Sequence, residues 1–105
     1  MLKWGVIVLF AILANPAFAD TISAQRKGAL LNLLKHDCGS CHGLTMKGGL
    51  GPSLSPADLD GKTSEDLVDV ILDGVPGTPM PPWRPELSRE EAVWLVDRLK
   101  EGALR

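Results

Sequence analysis

Several features that mark common classes of small protein are missing from this sequence of 105 residues. Beyond its N-terminal region it has no apolar run long enough to cross a membrane, so no stable membrane insertion of the rest of the chain is expected. It has no basic stripe with interleaved aromatic residues, which argues against nucleic acid as a partner. It also lacks internal repeats, low-complexity linkers and any convincing strand pattern. These absences favour one small helical domain.

The chemistry of the chain is concentrated in Cys38-Gly39-Ser40-Cys41-His42. A Cys-x-x-Cys-His run in an exported chain is typical of c-type haem attachment. Thiols three residues apart lie on one helical face, where they can form thioethers with the two vinyl groups on one edge of a porphyrin. The histidine that follows can bind the iron as the proximal ligand. The motif therefore predicts one covalently attached haem c, held at Cys38 and Cys41 and ligated by His42.

Other interpretations of the motif are weaker. A disulfide across two residues gains little from cross-linking and leaves His42 unexplained. A thioredoxin-like redox motif requires a βαβ pattern. Zinc requires four ligands, and only His36 and His42 stand beside the two thiols, crowded on one turn. His36 is also a poor rival iron ligand, because the same short stretch cannot easily reach both faces of a ring.

The first nineteen residues have the pattern of a signal peptide. Lys3 supplies a positive start, an apolar run extends from Trp4 to Leu13, and Ala17-Phe18-Ala19 has the small-x-small form of a cleavage site. The apolar run is about half the roughly twenty residues that a membrane span requires, which argues against an uncleaved anchor. We therefore expect a signal peptide over residues 1–19 and a mature domain over residues 20–105, outside the cytoplasm.

The mature domain is small enough to need a staple, and a covalently held haem is a large apolar one. It carries 13 acidic and 10 basic side chains, a net charge of −3 with histidine neutral. Apolar residues at helical spacing and capping residues predict three main helices, over residues 22–36, 63–73 and 88–102. Gly28 would let another helix approach closely, and Trp94 is its candidate neighbour.

The stretch after His42 is rich in glycine and ends in Gly51-Pro52. Glycine permits positive φ and close backbone approach, so this stretch is suited to folding against a flat cofactor. The carbonyl oxygen of Pro52 could accept the free ring N–H of His42, which would orient the imidazole and strengthen it as a donor to iron. An ordinary turn proline is the alternative.

A second candidate site is the loop from Val75 to Trp83, in which four prolines fix φ and remove backbone donors. A thioether in such a rigid frame could bind the open face of the iron, which makes Met80 the candidate sixth ligand. Histidine–methionine ligation raises the reduction potential. Two alternatives are that Met80 only packs, or that Met46 is the ligand. Met46 lies four residues beyond His42 and is better suited to packing at the rim.

The order of these features resembles the small monohaem class I cytochromes c across essentially the whole mature chain. In that family the histidine and methionine are the axial ligands, the proline carbonyl holds the proximal imidazole, and the first and last helices cross at a glycine–aromatic contact. The resemblance implies an all-α fold around one covalent haem. It also implies these roles for His42, Met80, Pro52 and the pair Gly28 and Trp94.

Three segments are similar to the cytochrome c-55X group of denitrifying bacteria: HDCGSCHG (36–43), KGGLGP (47–52) and PGTPMPPW (76–83). Members of that group are regarded as electron donors to the dissimilatory haem-c/haem-d nitrite reductase, and a part in maturing its d-type haem is a second role associated with them. The resemblance implies a carrier of single electrons rather than an enzyme, with nitrite reductase as its redox partner. The signal peptide places this carrier in the periplasm, and a monomer is expected.

The chain departs from many class I cytochromes c in having no tyrosine. Trp83 is expected to wall the haem pocket, and hydrogen bonds to the propionates are expected from Thr78, Trp83 or Arg84. The expected docking surface is an apolar rim with Lys47 nearby, formed by Met46, Gly48, Gly49, Pro81 and Pro82. A haem enzyme or sensor with a labile sixth ligand is an alternative, although the loop offers no histidine or carboxylate beside Met80.

Overall fold

The computed structural model describes residues 3–11 and 21–104, and every regular element in these ranges is helical. The expected cleavage site after Ala19 lies outside them. The helical elements agree with the predicted all-α fold. No helix in the described ranges combines the length and apolar character that a membrane span needs. The elements are α1 (Ala24–Leu33), a π turn (Leu34–Cys38), α2 (Gly39–His42), α3 (Pro56–Leu59), α4 (Ser64–Asp73) and α5 (Arg89–Glu101).

The N-terminal helix runs without interruption from Ala24 into the Cys-x-x-Cys-His motif, so the prediction that it ends at His36 is wrong. Ser23 caps its start by accepting a hydrogen bond from the backbone N–H of Arg26 at 3.0 Å. At the π turn, the N–H of Gly39 bonds to the carbonyl of Leu34, five residues back. The turn thus inserts one residue and lets helical structure continue to His42.

The predictions for the second and third main helices are confirmed. Thr63 caps α4 by accepting from the N–H of Asp66 at 3.1 Å, and Gly74 follows its last residue. At the start of α5, Ser88 and Glu91 form the expected capping box. The short helix α3 was not predicted, although Ser55 caps it and Pro56 occupies its first turn.

The core lies where α5 packs against α4, α3 and α1. Buried apolar side chains from each main helix form this core: Leu30 from α1, Val68 and Leu72 from α4, and Leu95, Val96 and Leu99 from α5. Burial of these side chains removes apolar surface from water, which stabilises the fold by about 25 cal/mol for each Å² buried. Met46 belongs to the same core, although it lies in a loop.

The predicted close contact at Gly28 is wrong. Gly28 is exposed, and a Cβ built on it would meet no atom within 4 Å. Trp94 is half-buried against the core, with the guanidinium of Arg98 at 5.0 Å from its ring centroid. An ion pair from Arg26 to Glu91 instead links α1 and α5. Contact between α1 and α5 therefore does not depend on a glycine at position 28.

Candidate haem site

An apolar cavity of about 860 Å³ runs between the motif helix and the proline-rich loop. This volume lies in the upper part of the range of roughly 300–1,000 Å³ that protein sites for small molecules and cofactors occupy. Cys38, Cys41 and His42 line one side, and Met80 and Trp83 line the cavity as well. Its remaining walls are mostly leucine, valine and isoleucine, including Leu34, Leu54, Leu59, Ile71, Leu95 and Leu99.

The glycine-rich stretch folds back onto α2 and holds the imidazole of His42. Nδ1 of His42 donates to the carbonyl oxygen of Pro52 across 2.8 Å, which is the predicted contact. Gly51 lies against the ring, since a Cβ there would be 2.9 Å from Cε1 and 3.0 Å from Nδ1. A proton on Nδ1 leaves Nε2 unprotonated, and this is the nitrogen that can bind iron.

Both cysteines are half-buried in the cavity wall and are not bonded to each other. Burial raises the pKa of the Cys38 thiol to about 11, with the nearby carboxylate of Asp37 adding to the shift. The free thiol is therefore protonated at neutral pH. Ser40, between the cysteines, donates to the carbonyl of Asp37 at 2.7 Å and faces the surface. The two sulfurs thus belong to the cavity and the intervening residues do not.

Met80 is half-buried and lines the cavity, within a loop that is closed by its own hydrogen bonds. The N–H of Val75 donates to the carbonyl of Met80 at 3.1 Å. The hydroxyl of Thr78 donates to the carbonyl of Val75 at 2.7 Å and accepts from the N–H of Met80 at 3.3 Å. Thr78 therefore serves the loop backbone, while it also lines the cavity.

The two rival ligands lie elsewhere. Met46 is only 4% exposed and packs in the core beside Leu54 and Leu99, outside the lining of the cavity. Its backbone has a positive φ of 59°, an uncommon conformation for a residue with a side chain. His36 is exposed and does not line the cavity either. Neither Met46 nor His36 is therefore placed to replace Met80 in the cavity.

Trp83 lines the cavity as predicted, but Arg84 does not. Both Nε and Nη2 of Arg84 donate to Oδ1 of Asp73, at 3.0 and 2.6 Å. The structure thus assigns this guanidinium to a carboxylate at the end of α4. The reason is local, because Arg84 leaves the loop at the point where the chain returns to that helix.

Lys62 was missed by the sequence reasoning. Among the described residues that line the cavity it is the only lysine or arginine. Its backbone is held by Lys100, whose ammonium donates to the carbonyl of Lys62 at 3.0 Å. The available signal was that Lys62 is the one basic residue in the acidic stretch from 58 to 73. A cation in this wall is suited to offset a carboxylate of a bound cofactor.

The expected docking rim needs a correction at Met46, because a core side chain cannot contact a partner. Lys47, Gly49, Pro81 and Pro82 are exposed as expected, and Gly48 is half-buried. In the glycine-rich stretch after His42, the exposed large apolar side chains are Leu44 and Leu50, at 63% and 79%. Leu50 also lines the cavity, so it lies at the cavity edge.

The residues present fit a c-type haem. An apolar cavity of sufficient volume carries two thiols, an oriented imidazole and a thioether, which are the groups that attach and ligate such a haem. The carbonyl of Pro52 supplies the outer contact that metal-binding histidines usually have. Lys62 lines the same cavity and could offset a carboxylate of the porphyrin.

Comparison with known proteins points to the same class. The family model described as cytochrome c oxidase, cbb3-type, subunit III matches residues 26–97. Cytochrome c55X of Pseudomonas aeruginosa is 50% identical over 102 residues, covering 96% of this chain and 86% of the relative. Cytochrome c55X of Paracoccus denitrificans is 51% identical over 92 residues, covering 88% of this chain and 89% of the relative.

Solved structures agree. The c-type cytochrome NirC has a TM-score of 0.76 and 56% identity, covering 78% of this chain and 96% of its own. The dihydro-heme d1 dehydrogenase NirN, in complex with DHE, has a TM-score of 0.61 and 34% identity, covering 67% of this chain but 15% of its own. The chain therefore belongs to the cytochrome c family that is represented by the model for cbb3-type oxidase subunit III. Within this family it is a member of the cytochrome c55X group of electron-carrying c-type cytochromes.

Proposed function

We propose that this protein is a periplasmic carrier of single electrons that donates to dissimilatory nitrite reductase. Cys38 and Cys41 would hold one haem c through thioethers, and His42 and Met80 would bind its iron. The observation that carries the proposal is that the oriented imidazole and the loop thioether line one cavity beside both thiols. The similarity to the c-type cytochrome NirC supports the link to denitrification.

When bound, the haem iron supplies one-electron chemistry between its ferric and ferrous states. The chain's part would be to keep the imidazole of His42 and the thioether of Met80 in place in both states, so that little reorganises when one electron arrives or leaves. His42 is held by Pro52, and Met80 by a rigid proline-rich frame. A methionine opposite a histidine favours the ferrous state. If His42 and Met80 both bound the iron, no position would remain for a substrate, which accords with a carrier rather than an enzyme.

The ligand assignment is tested by the absorption spectrum of the ferric protein matured in a periplasm. We expect the weak far-red sulfur-to-iron charge-transfer band in the wild type and its loss in Met80→Ala. Met46→Ala is the matched control and keeps the band, because Met46 lies in the core. A band that survives Met80→Ala would contradict the assignment. Mass spectrometry of the same preparation tests the rest, with a chain beginning at Asp20 and carrying one haem as the expected result.

The partner is tested by the rate of electron transfer to purified nitrite reductase. Leu50 and Pro81 are exposed and line the cavity, and Lys47, three residues before Leu50, adds an exposed charge. We expect Lys47→Glu to change both the rate and its dependence on salt, because charge at an interface rim acts on the encounter. A reductase that accepts no electrons from the wild type would exclude it as the partner.

A second candidate function is electron acceptance during maturation of a d-type haem. The observation that favours it is the similarity to part of a dihydro-heme d1 dehydrogenase. Dehydrogenation of a dihydro-haem releases two electrons and two protons, so a carrier of single electrons would serve in two successive encounters. Deleting the gene separates the two functions. Reductase with normal d-type haem but slow turnover indicates the donor role alone, whereas reductase that lacks mature d-type haem indicates maturation.

A further inference from the structure

The loop that carries Met80 leaves the end of α4 and returns to the same place. The N–H of Trp83 donates to the carbonyl of Ile71 at 3.0 Å, and the N–H of Arg84 donates to the carbonyl of Leu72 at 3.1 Å. Both carbonyls belong to the last turn of α4, where a helix has no partners of its own for them. The loop therefore closes by capping the helix from which it started, and opening it would leave these carbonyls without that cap.

An ion pair joins the two ends of this loop. Asp73 is the last residue of α4, and Arg84 is the first residue after the loop, with Oδ1 of Asp73 accepting from Nε and Nη2 of Arg84. The negative end of the helix dipole repels a carboxylate at a helix C-terminus and attracts a guanidinium there. The pair is exposed, at 59% for Arg84 and 58% for Asp73, so its contribution is expected to be modest.

Gly74 provides the third contact of the loop ends. It has a φ of +67°, and a Cβ built on it would lie 2.7 Å from the carbonyl carbon of Pro81 and 2.8 Å from the carbonyl oxygen of Met80. These neighbours are backbone atoms, which cannot rotate away as a side chain can. The segment that contains Met80 thus passes across Gly74 at a distance that only glycine permits.

We propose that Asp73, Gly74 and Arg84 form a latch that positions Met80 and keeps the sixth coordination position closed. This rests on the proposed function, because it takes Met80 as the iron ligand. The three residues are positioning residues, since none of them lines the cavity. Weakening the latch raises the fraction of molecules in which Met80 is displaced, without altering the ligand itself.

The experiment measures the affinity of the ferric haem protein for imidazole, which competes with Met80. We expect Asp73→Asn and Arg84→Gln to bind imidazole about 1.4- to 5-fold more tightly, as the loss of an exposed ion pair predicts. Gly74→Ala should bind it roughly 5- to 150-fold more tightly, because backbone strain is added to the closed loop. The charge-exchanged double variant Asp73→Arg/Arg84→Asp should restore most of the wild-type affinity.

Arg89→Gln is the matched control. It removes the ion pair between Arg89 and Asp69, whose nitrogen and oxygen atoms are 2.9 Å apart. This pair also involves a carboxylate of α4 and is similarly exposed, at 51% for Arg89 and 49% for Asp69, but neither residue belongs to the loop. We expect its imidazole affinity to equal that of the wild type. A second measurement, amide hydrogen exchange, should show faster exchange of the backbone N–H groups at positions 75, 83 and 84 in Arg84→Gln than in Arg89→Gln.

The outcomes separate the two proposals. If the wild type has the sulfur-to-iron band but Arg84→Gln matches Arg89→Gln in imidazole affinity and loop exchange, the latch is overturned and the ligand assignment stands. If the wild type lacks the band, the assignment of Met80 is overturned, and the latch as a device for this ligand is overturned with it.

Discussion

Nδ1 of His42 lies 2.8 Å from the carbonyl oxygen of Pro52, and Gly51 packs against the same ring so closely that a Cβ there would be 2.9 Å from Cε1. Ten residues of chain separate the two partners, and the glycine-rich stretch closes that distance by bonding back to α2. The N–H of Gly51 donates to the carbonyl of Cys41 at 2.8 Å, and the N–H of Gly48 to that of His42 at 2.8 Å. The imidazole is therefore oriented by the protein, whichever group its other nitrogen binds.

Gly51→Ala is expected to destabilise the protein by about 1–3 kcal/mol, because the new methyl group would lie about 3 Å from the imidazole in a tightly packed site. The ring would have to move away from Pro52. Urea unfolding of the haem protein measures the effect. Equal stability of the variant and the wild type would show that the ring is free to move.

Gly28→Ala is expected to stabilise the protein by about 0.5–1 kcal/mol, since alanine is the better helix former and nothing lies within 4 Å of the added group. A raised urea midpoint with an unchanged m-value is the expected result. Destabilisation would instead indicate that another helix approaches Gly28 closely, as the family resemblance implied.

Met46→Ala is expected to cost about 2–5 kcal/mol of unfolding free energy, because it removes a core side chain that is 4% exposed. Denaturant unfolding measures the loss. The far-red band serves as the second measurement and should persist. Its disappearance in a folded variant would mean that Met46, and not Met80, supplies the sulfur.

Lys62→Gln is expected to lower the midpoint potential, because a positive charge in the cavity wall favours the less positive ferrous state. Coulomb's law at a surface-like dielectric suggests a change on the order of tens of millivolts. Redox titration at low salt measures it. Lys47→Gln, at an exposed lysine outside the cavity lining, is the control. Equal shifts in both variants would argue against a specific role for Lys62.

Glu91→Gln is expected to reduce stability at neutral pH and to have little effect in acid. The hydrogen bond from Arg26 lowers the pKa of Glu91 below its ordinary value of 4.5, with the N–H of Ser88 adding to the shift. A lowered carboxyl pKa stabilises the fold above the ordinary value, and this stabilisation is lost as the pH falls through the folded-state pKa. Glutamine keeps the capping box, so urea unfolding against pH isolates the charge. A difference that does not change with pH would contradict this.

The helices α4 and α5 were predictable because their limits depend on local chemistry. Thr63 and Ser88 bond to backbone groups only three residues away, and Gly74 and Gly102 end the two helices at positive φ. The π turn was not predictable in this way. The additional residue enters between Leu34 and Cys38, after the apolar residues that set the period of α1, so hydrophobic periodicity cannot reveal it.

The sequence alone was sufficient to predict the class of cofactor and the thiols, imidazole and thioether that line the cavity, but not the other residues of its wall. The spacing of Cys38, Cys41 and His42 is set by covalent chemistry, and a methionine among prolines has few conformations. The tertiary structure decided the assignments that depend on how distant segments meet. Met46 is buried because Leu54 returns to bond its carbonyl at 2.8 Å. Arg84 pairs with Asp73 because the loop ends where it began, and Lys62 faces the cavity because Lys100 on α5 holds its backbone. Each of these contacts spans between eight and thirty-eight residues, beyond the reach of any local pattern.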